Sequence, residues 1–371
     1  MSIKRLAAVA AAAALGSLTL TACGGAADAQ EAYATPDTPE VPSLATPLNV
    51  VASFYPLQFV AEQVGGDLVN VSNLTPPAAD PHHLELSLAA TRVIGDADLV
   101  IFLSGFQAAV DQAIEQRQPE NVINAADFVK LLPASATGGH DCADHDHSHD
   151  HDHDHDHDHD HGHSHDHSHD HVEDHDHSHD HDHSHSHSHS HDHDMGGLDP
   201  HFWLDPTLLA QLAEPVAAAL SAVAPENAEV FAANAAYLVE RLHILDAEFT
   251  TALTPFEGAK LITNHTAFGY LAHRYGLEQI GVTGIDHDLE PSPARMREIR
   301  EIAERHNVTT LFYETLVSPA VMETLARDLD IEIRLLDTLE GLTQQSLDNG
   351  DDYFSIMRAN LVALTEGLNV G

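Results

Sequence analysis

Three histidines stand just beyond apolar runs that read as strands or conserve the same Asp-Pro setting. His82 follows the run Leu68 to Leu74, in Asp80-Pro81-His82-His83. His201 lies in Asp199-Pro200-His201-Phe202-Trp203-Leu204-Asp205-Pro206, and His265 follows Lys260 to Thr263 in Asn264-His265-Thr266-Ala267-Phe268-Gly269-Tyr270. Asp337 likewise follows the run Ile331 to Leu336. In open α/β sheets, ligands bind beyond the carboxyl ends of strands. Four such residues, two from each half of the chain, can meet in a cleft between lobes. Three imidazoles and one carboxylate are a tetrahedral N/O set suited to zinc. His243, His273, His287 and His306 lack this setting and read as solvated or core histidines.

The other 25 of the 33 histidines fall in one tract, residues 140–194, together with 18 of the 59 acids and no Lys or Arg. Alternating His and Asp gives many loose imidazole and carboxylate sites. Neutral imidazole favours zinc, copper, nickel and cobalt over magnesium or calcium. The tract has almost nothing apolar to bury, so its composition predicts disorder. It collects or buffers metal near the cleft. Its charge runs from −18 with neutral His to +7 with all His protonated, a reversal centred near the ordinary His pKa of ~6.5.

The elements that must position the four residues follow from pattern. Asn49–Phe54, Leu68–Leu74, Asp98–Leu103 and Asn121–Asn124 read as strands, with helices through Val64 and over Leu86–Ile94 between them. Lys260–Thr263, Gln279–Thr283, Thr309–Tyr313 and Ile331–Leu336 form a second series, with helices over Pro293–His306 and Pro319–Leu329. Strands alternating with helices predict parallel sheets. Pro206–Val223 and Pro225–Leu253 read as helices opened by proline. The second would run roughly 40 Å at 1.5 Å per residue, enough to join two lobes. The expected fold is therefore α/β: two similar parallel-sheet lobes joined by one long helix, with a disordered His/Asp-rich loop in the first. The lobes are expected at 48–224 and 255–371, with the linking helix at 225–254.

The start of the chain reads as a leader. Lys4 and Arg5 precede an apolar run from Leu6 to Leu20, too short for a transmembrane span of ~20 residues and suited to a signal peptide over residues 1–22. Leu20-Thr21-Ala22-Cys23 resembles a bacterial lipobox, which implies cleavage before Cys23 and a diacylglyceryl group on its sulfur. Residues 23–47, with Pro36, Pro39, Pro42 and Pro47, read as a tether. Cys142 is then a lone thiol within the tract, so no disulfide is expected.

Charge narrows the function classes. The 371 residues carry a formal net charge of −44, or −26 without the tract. No basic stripe exists to displace counterions from nucleic acid or to hold anionic lipid, so membrane attachment is through the lipid anchor only and the partners are cations. No His-Glu-x-x-His or Gly-x-Ser-x-Gly is present, so no enzyme is expected.

With these residues in view, the chain resembles the metal-binding solute-binding lipoproteins of bacterial ABC importers, in their zinc-specific ZnuA/AdcA-like branch. The resemblance runs from about residue 48 to the C-terminus, the tract apart. It rests on Ser53-Phe54-Tyr55-Pro56-Leu57, Pro81-His82 with Glu85 three residues on, and Ala97-Asp98-Leu99-Val100. Asp199 to Pro206, Asn264 to Tyr270, Glu290-Pro291-Ser292-Pro293, and Leu336-Asp337 ahead of Glu340-Gly341-Leu342 complete it. The resemblance implies zinc held by His82, His201 and His265, with Asp337, or water in its place, as the fourth ligand. His83 doubles the first histidine and competes with it for that role; His83 and Glu85 are also placed to orient a ligand imidazole. It further implies an extracytoplasmic, monomeric protein that hands Zn2+ to an ABC permease. A manganese or iron importer component and a metal-binding surface adhesin are the alternatives. His265, where a carboxylate would supply a harder donor, favours zinc.

Overall fold

The computed structural model describes residues 46–138, 195, 197–285 and 291–369. The signal peptide, Cys23, nearly all of the tether and the His/Asp tract lie outside them, as do His287 and Glu290.

Two four-stranded parallel sheets form the frame. The first contains β1 (Leu48–Ala52), β2 (Val69–Asn73), β3 (Leu99–Phe102) and β4 (Val122–Asn124), in the order β2-β1-β3-β4. Val50 pairs with Val71 on one side and Leu99 on the other. Helices α1 (Tyr55–Gly65), α2 (Leu88–Asp96) and α3 (Ala108–Arg117) connect these strands. The sequence Leu-Val-Ile-Phe of β3 is buried throughout, as expected of a parallel strand covered on both faces.

The second sheet repeats the design with β5 (Lys260–Thr263), β6 (Glu278–Gly281), β7 (Thr310–Tyr313) and β8 (Glu332–Leu335), ordered β6-β5-β7-β8. Between the two series lie α4 (Pro206–Ala210), α5 (Ala213–Val223) and α6 (Ala228–Leu253). The second lobe adds α7 (Gly269–Tyr275), α8 (Pro293–Arg305), α9 (Ala320–Leu329), α10 (Gln344–Asn349) and α11 (Tyr353–Gly367). The expected two parallel α/β lobes are thus present.

One expectation changes in detail. The helix predicted over Pro206–Val223 is broken at Gln211 and Leu212, whose N–H groups bond three residues back, to Leu208 and Leu209. Pro215 is the cause: it has no N–H to offer the carbonyl of Gln211, and its ring crowds that carbonyl. The linking helix α6 buries Phe231, Ala235, Leu238, Leu242, Leu245, Phe249 and Leu253, steps of three and four that make one apolar stripe. Its 26 residues run roughly 39 Å at 1.5 Å each. It packs on α1, α4 and α5 on one side and on α7 and α11 on the other. Polar ties reinforce both ends: Asn234 Nδ2 donates to the Val64 carbonyl, and Arg358 and Arg274 grip Glu248 and Asp246 of this helix through paired bonds.

Both sheets change winding direction at their centre, between β1 and β3 and between β5 and β7. Such a switch point opens a crevice at the strands' carboxyl ends. In the second sheet the residues leaving β5 and β7 include His265 and Glu314.

Candidate metal centre

Asp80 and Asp199 build the same turn twice. In each Asp-Pro-His, the Asp Oδ1 accepts the backbone N–H of the histidine two residues on, at 2.8 Å for His82 and 2.9 Å for His201. Proline between them fixes φ and cannot compete for the carboxylate. The first turn lies in the loop after β2, where Leu84 and Leu86 pack on the outer core of the first lobe. The His82 ring meets Phe106 edge-on at 4.8 Å between centroids. The second turn opens a short 3-10 turn, Phe202–Leu204, whose side chains are all buried. There the Asp199 Oδ1 also holds His201 Nδ1, at 2.7 Å.

His265 is gripped by Glu314 from the end of β7. Glu314 Oε1 accepts the His265 backbone N–H at 3.0 Å, and Oε2 pairs with His265 Nδ1. Asn264 Oδ1 accepts the Glu314 N–H in return. A carboxylate on Nδ1 fixes the proton there and presents Nε2 as the metal-binding nitrogen. Asp199 and Glu314 do this for His201 and His265.

The three rings converge, with centroids 5.4 Å, 5.4 Å and 6.1 Å apart. The fourth member is Glu340. Its Oε1 lies 3.6 Å, 3.2 Å and 3.5 Å from Nε2 of His82, His201 and His265. The four donor atoms all lie within 4.8 Å of one another. A tetrahedral ion with bonds of ~2.0–2.1 Å has ligand–ligand edges of about 3.3 Å, so these carboxylate–imidazole spacings match one coordination shell. Nε2 of His201 and Oε1 of Glu340 are buried with no hydrogen bond of acceptable geometry, a costly state for polar atoms unless a cation lies among them.

The electrostatics agree with the geometry. Burial pulls His82 below the ordinary imidazole range, Glu340 opposing it only in part. Burial also disfavours a charged His201, but Asp199 and Glu340 outweigh it and raise the ring's pKa. At His265, Glu314 and Glu340 overcome burial by more, and the pKa is well above the ordinary value. Burial alone would raise Glu340, but the three imidazoles hold it well below the usual carboxylate range. The carboxylate and the rings of His201 and His265 thus each favour the other's charged form.

Asp337, expected as the fourth ligand, is elsewhere. Its Oδ1 accepts the N–H of Leu339, and its own backbone N–H and C=O bond to the Asn360 side chain. It caps the turn that carries Glu340 and is not among the four converging donors. Burial raises its pKa to about 6. His83 is half-exposed and pairs with Asp80 Oδ2 at 3.1 Å, so His82 and not His83 joins the cluster. Glu85 is exposed and outside the group. Trp203 packs between Phe54 and His201 and also donates to the Thr338 carbonyl.

No signal in the sequence sets Glu340, in Glu340-Gly341-Leu342, above Asp337 as the fourth donor. Proximity to the end of β8 favoured Asp337, and only the turn after it shows which carboxylate reaches the cleft. Glu314 stands in none of the sequence motifs; in the fold it pairs with the His265 ring.

The fold has counterparts among known proteins. The family model described as zinc-uptake complex component A, periplasmic (ZnuA), matches residues 50–367, and the chain belongs to that family. It is 30% identical over 326 residues to the high-affinity zinc uptake system protein ZnuA of Bacillus subtilis, covering 87% of this chain and 88% of that protein. It is likewise 30% identical over 322 residues to the zinc-binding lipoprotein AdcA of Streptococcus pneumoniae serotype 4. That match covers 86% of this chain but 55% of AdcA, so the chain spans about half the length of that relative. Among solved structures, the Zn(II)-bound ZnuA-like domain of S. pneumoniae AdcA superposes with a TM-score of 0.63 at 27% identity, covering 86% of this chain and 98% of that one.

Proposed function

We propose that this protein is the extracytoplasmic zinc-binding component of an ABC importer, capturing Zn2+ between its lobes and delivering it to the permease. The observation that carries the reading is the convergence of four buried donor atoms, three Nε2 each 3.2–3.6 Å from one carboxylate oxygen and all within 4.8 Å of one another. In this reading His82, His201, His265 and Glu340 bind the ion. Three imidazoles favour zinc over magnesium, calcium or manganese. Four protein donors leave no open coordination position, the arrangement of a site that holds metal rather than activates water. The zinc-uptake and zinc-binding names of its relatives support the same cargo.

Capture is an exchange of cations. Zinc competes with protons for the ring nitrogens of His201 and His265, whose pKa values the neighbouring carboxylates raise. Release needs the four donors to part, which docking on a permease would bring about by moving one lobe, or one ligand loop, from the other. Cys23 anchors the chain to the membrane through lipid, and the tract at 140–194 gathers or buffers zinc ahead of the cleft.

Competition against a zinc chelator tests the reading in the full chain. The wild type should show one tight site above a set of weak ones, and Glu340→Gln should lose the tight site while keeping the weak ones. A tight site that survives in Glu340→Gln overturns the ligand set. A cleft that binds manganese more tightly than zinc overturns the cargo.

A further inference from the structure

Glu340 follows a residue in a conformation that side chains seldom adopt. Leu339 has φ of +56° and is completely buried. Left-handed backbone at a branched apolar residue persists only where its surroundings fix it, and such residues gather at functional sites. Here the surroundings can be named. The Asp337 Oδ1 accepts the Leu339 N–H at 2.8 Å, closing the turn from inside. The Asn360 side chain, reaching from α11, accepts the Asp337 N–H at 2.8 Å and donates to the Asp337 carbonyl at 2.7 Å. Trp203 Nε1 donates to the Thr338 carbonyl at 2.8 Å.

Asn360 is the unusual member. It is 2% exposed on a helix face otherwise made of apolar residues such as Met357 and Leu364. Both ends of its amide serve the main chain of one residue, Asp337. A two-point grip of this kind fixes the turn's place and its rotation together. A solvent-facing cavity of about 480 Å³, lined by Asp337, Asn360, Thr315 and Asp351 among others, adjoins the grip. Water from it can satisfy either group singly if Asn360 is truncated, so the fold need not fail, but water cannot reproduce the fixed spacing.

We propose that Asp337 and Asn360 are positioning residues for Glu340: Asn360 sets the turn against α11, and Asp337 holds Leu339 in the left-handed conformation that aims the Glu340 carboxylate at the three imidazoles. This rests on the reading of Glu340 as a zinc ligand. The residue that the strand end suggested as a ligand thus acts on the metal at one remove, through the carboxylate three positions on. Asp337 meets this demand through a single acceptor oxygen, so an amide can replace its carboxylate and a methyl group cannot.

The test uses the full chain and four variants: Asn360→Ala, Asp337→Ala, Asp337→Asn and Glu340→Gln. Chelator competition reads the affinity of the tight site, and stopped-flow zinc loss reads its off-rate. The visible spectrum of one equivalent of cobalt(II) reads coordination geometry, since tetrahedral cobalt absorbs far more strongly than octahedral. Asn360→Ala and Asp337→Ala should weaken the tight site by about 10–100-fold, the usual effect of losing an outer-shell partner, with a faster off-rate and an altered cobalt band. Asp337→Asn should bind within a few-fold of wild type. Wild-type affinity and cobalt spectrum in both alanine variants, with Glu340→Gln weakened, would overturn the positioning role alone. Equal loss in Asp337→Asn and Asp337→Ala would overturn it too, since that result demands the charge and not the acceptor. A Glu340→Gln variant that binds zinc like wild type would instead remove the ligand reading beneath it. If Asn360→Ala does not fold, the Asp337 pair decides.

Discussion

The two sheets share one strand order and one direction, yet their switch points hold different chemistry. In the first lobe the crevice between β1 and β3 is filled by Phe54 and Phe106, packed on each other and on Trp203 at 5.0–5.9 Å between ring centroids. In the second lobe the equivalent crevice carries His265 and its orienting Glu314. Glu340 comes from that lobe as well. His201 precedes it in sequence but is fastened to it: Tyr270 donates to the Asp199 carbonyl, Trp203 to the Thr338 carbonyl, and Tyr353 to the Trp203 carbonyl. The first lobe supplies a hydrophobic wall and one ligand, His82, on an irregular loop. The His82 side chain is 11% exposed, against 0–2% for the other three. In the proposed site the repeated fold thus serves once as a scaffold and once as a socket, with most donors held by the second lobe.

The most severe break in that comparison comes from the socket itself. His201→Ala, His265→Ala and Glu340→Gln should each abolish the tight zinc phase in chelator competition. His82→Ala should leave a weaker but measurable cleft site held by the three remaining ligands. A His82 variant as damaged as His265→Ala would contradict the asymmetry.

The orienting carboxylates come next. Asp199→Asn and Glu314→Gln should each weaken zinc by about 10–100-fold, read by the same competition. Each leaves the ring in place but removes the charge that holds its Nδ1 proton.

Zinc binding should also release protons, because His201 and His265 have raised pKa values in the free protein. Both rings must lose the Nε2 proton to bind metal, so affinity should fall as pH drops through those raised values and rise above them. Calorimetry in buffers of different ionisation enthalpy should show proton release on zinc binding, growing as pH is lowered. No release would mean the imidazoles are already neutral.

Asp337 allows a smaller test in the metal-free protein. Burial raises its pKa from the ordinary carboxylate range to about 6, so the folded state favours the neutral acid. That contribution to stability is complete below the unfolded pKa and is lost as pH rises through 6. Asp337→Asn stays neutral throughout. Denaturant unfolding should find it about 1–3 kcal/mol more stable than wild type at pH 8, with the gap closing near pH 4. The smallest effect is expected at His83: the half-exposed ring pairs with Asp80, and His83→Ala should shift cleft affinity by no more than a few-fold.

Much of this was legible in the sequence, for identifiable reasons. Short apolar or alternating stretches, from the continuous Leu99–Phe102 to the alternating Val69–Asn73, mark the strands, and the spacing of apolar residues along 228–253 marks the linking helix. His82, His201 and His265 stood out because two share an Asp-Pro prefix and the third leaves a strand. What could not be read was anything decided by packing across the chain. Pro215 breaks a helix that looked unbroken on apolar content alone. Which of Asp337 and Glu340 faces the imidazoles depends on a turn that Asn360 grips, 23 positions beyond Asp337 on a helix the strand pattern gives no reason to bring there. Glu314 becomes an orienting base only because β7 lies beside β5.

Anomalous diffraction at the zinc edge, from crystals of the zinc-loaded protein, tests the central claim most directly. One strong peak is expected in the cleft, within ~2.0–2.2 Å of Nε2 of His82, His201 and His265 and of a Glu340 oxygen, with Asp337 still bonded to Leu339 and Asn360. A peak bound by Asp337 or His83 in place of Glu340 or His82, or a cleft with no zinc, would contradict it.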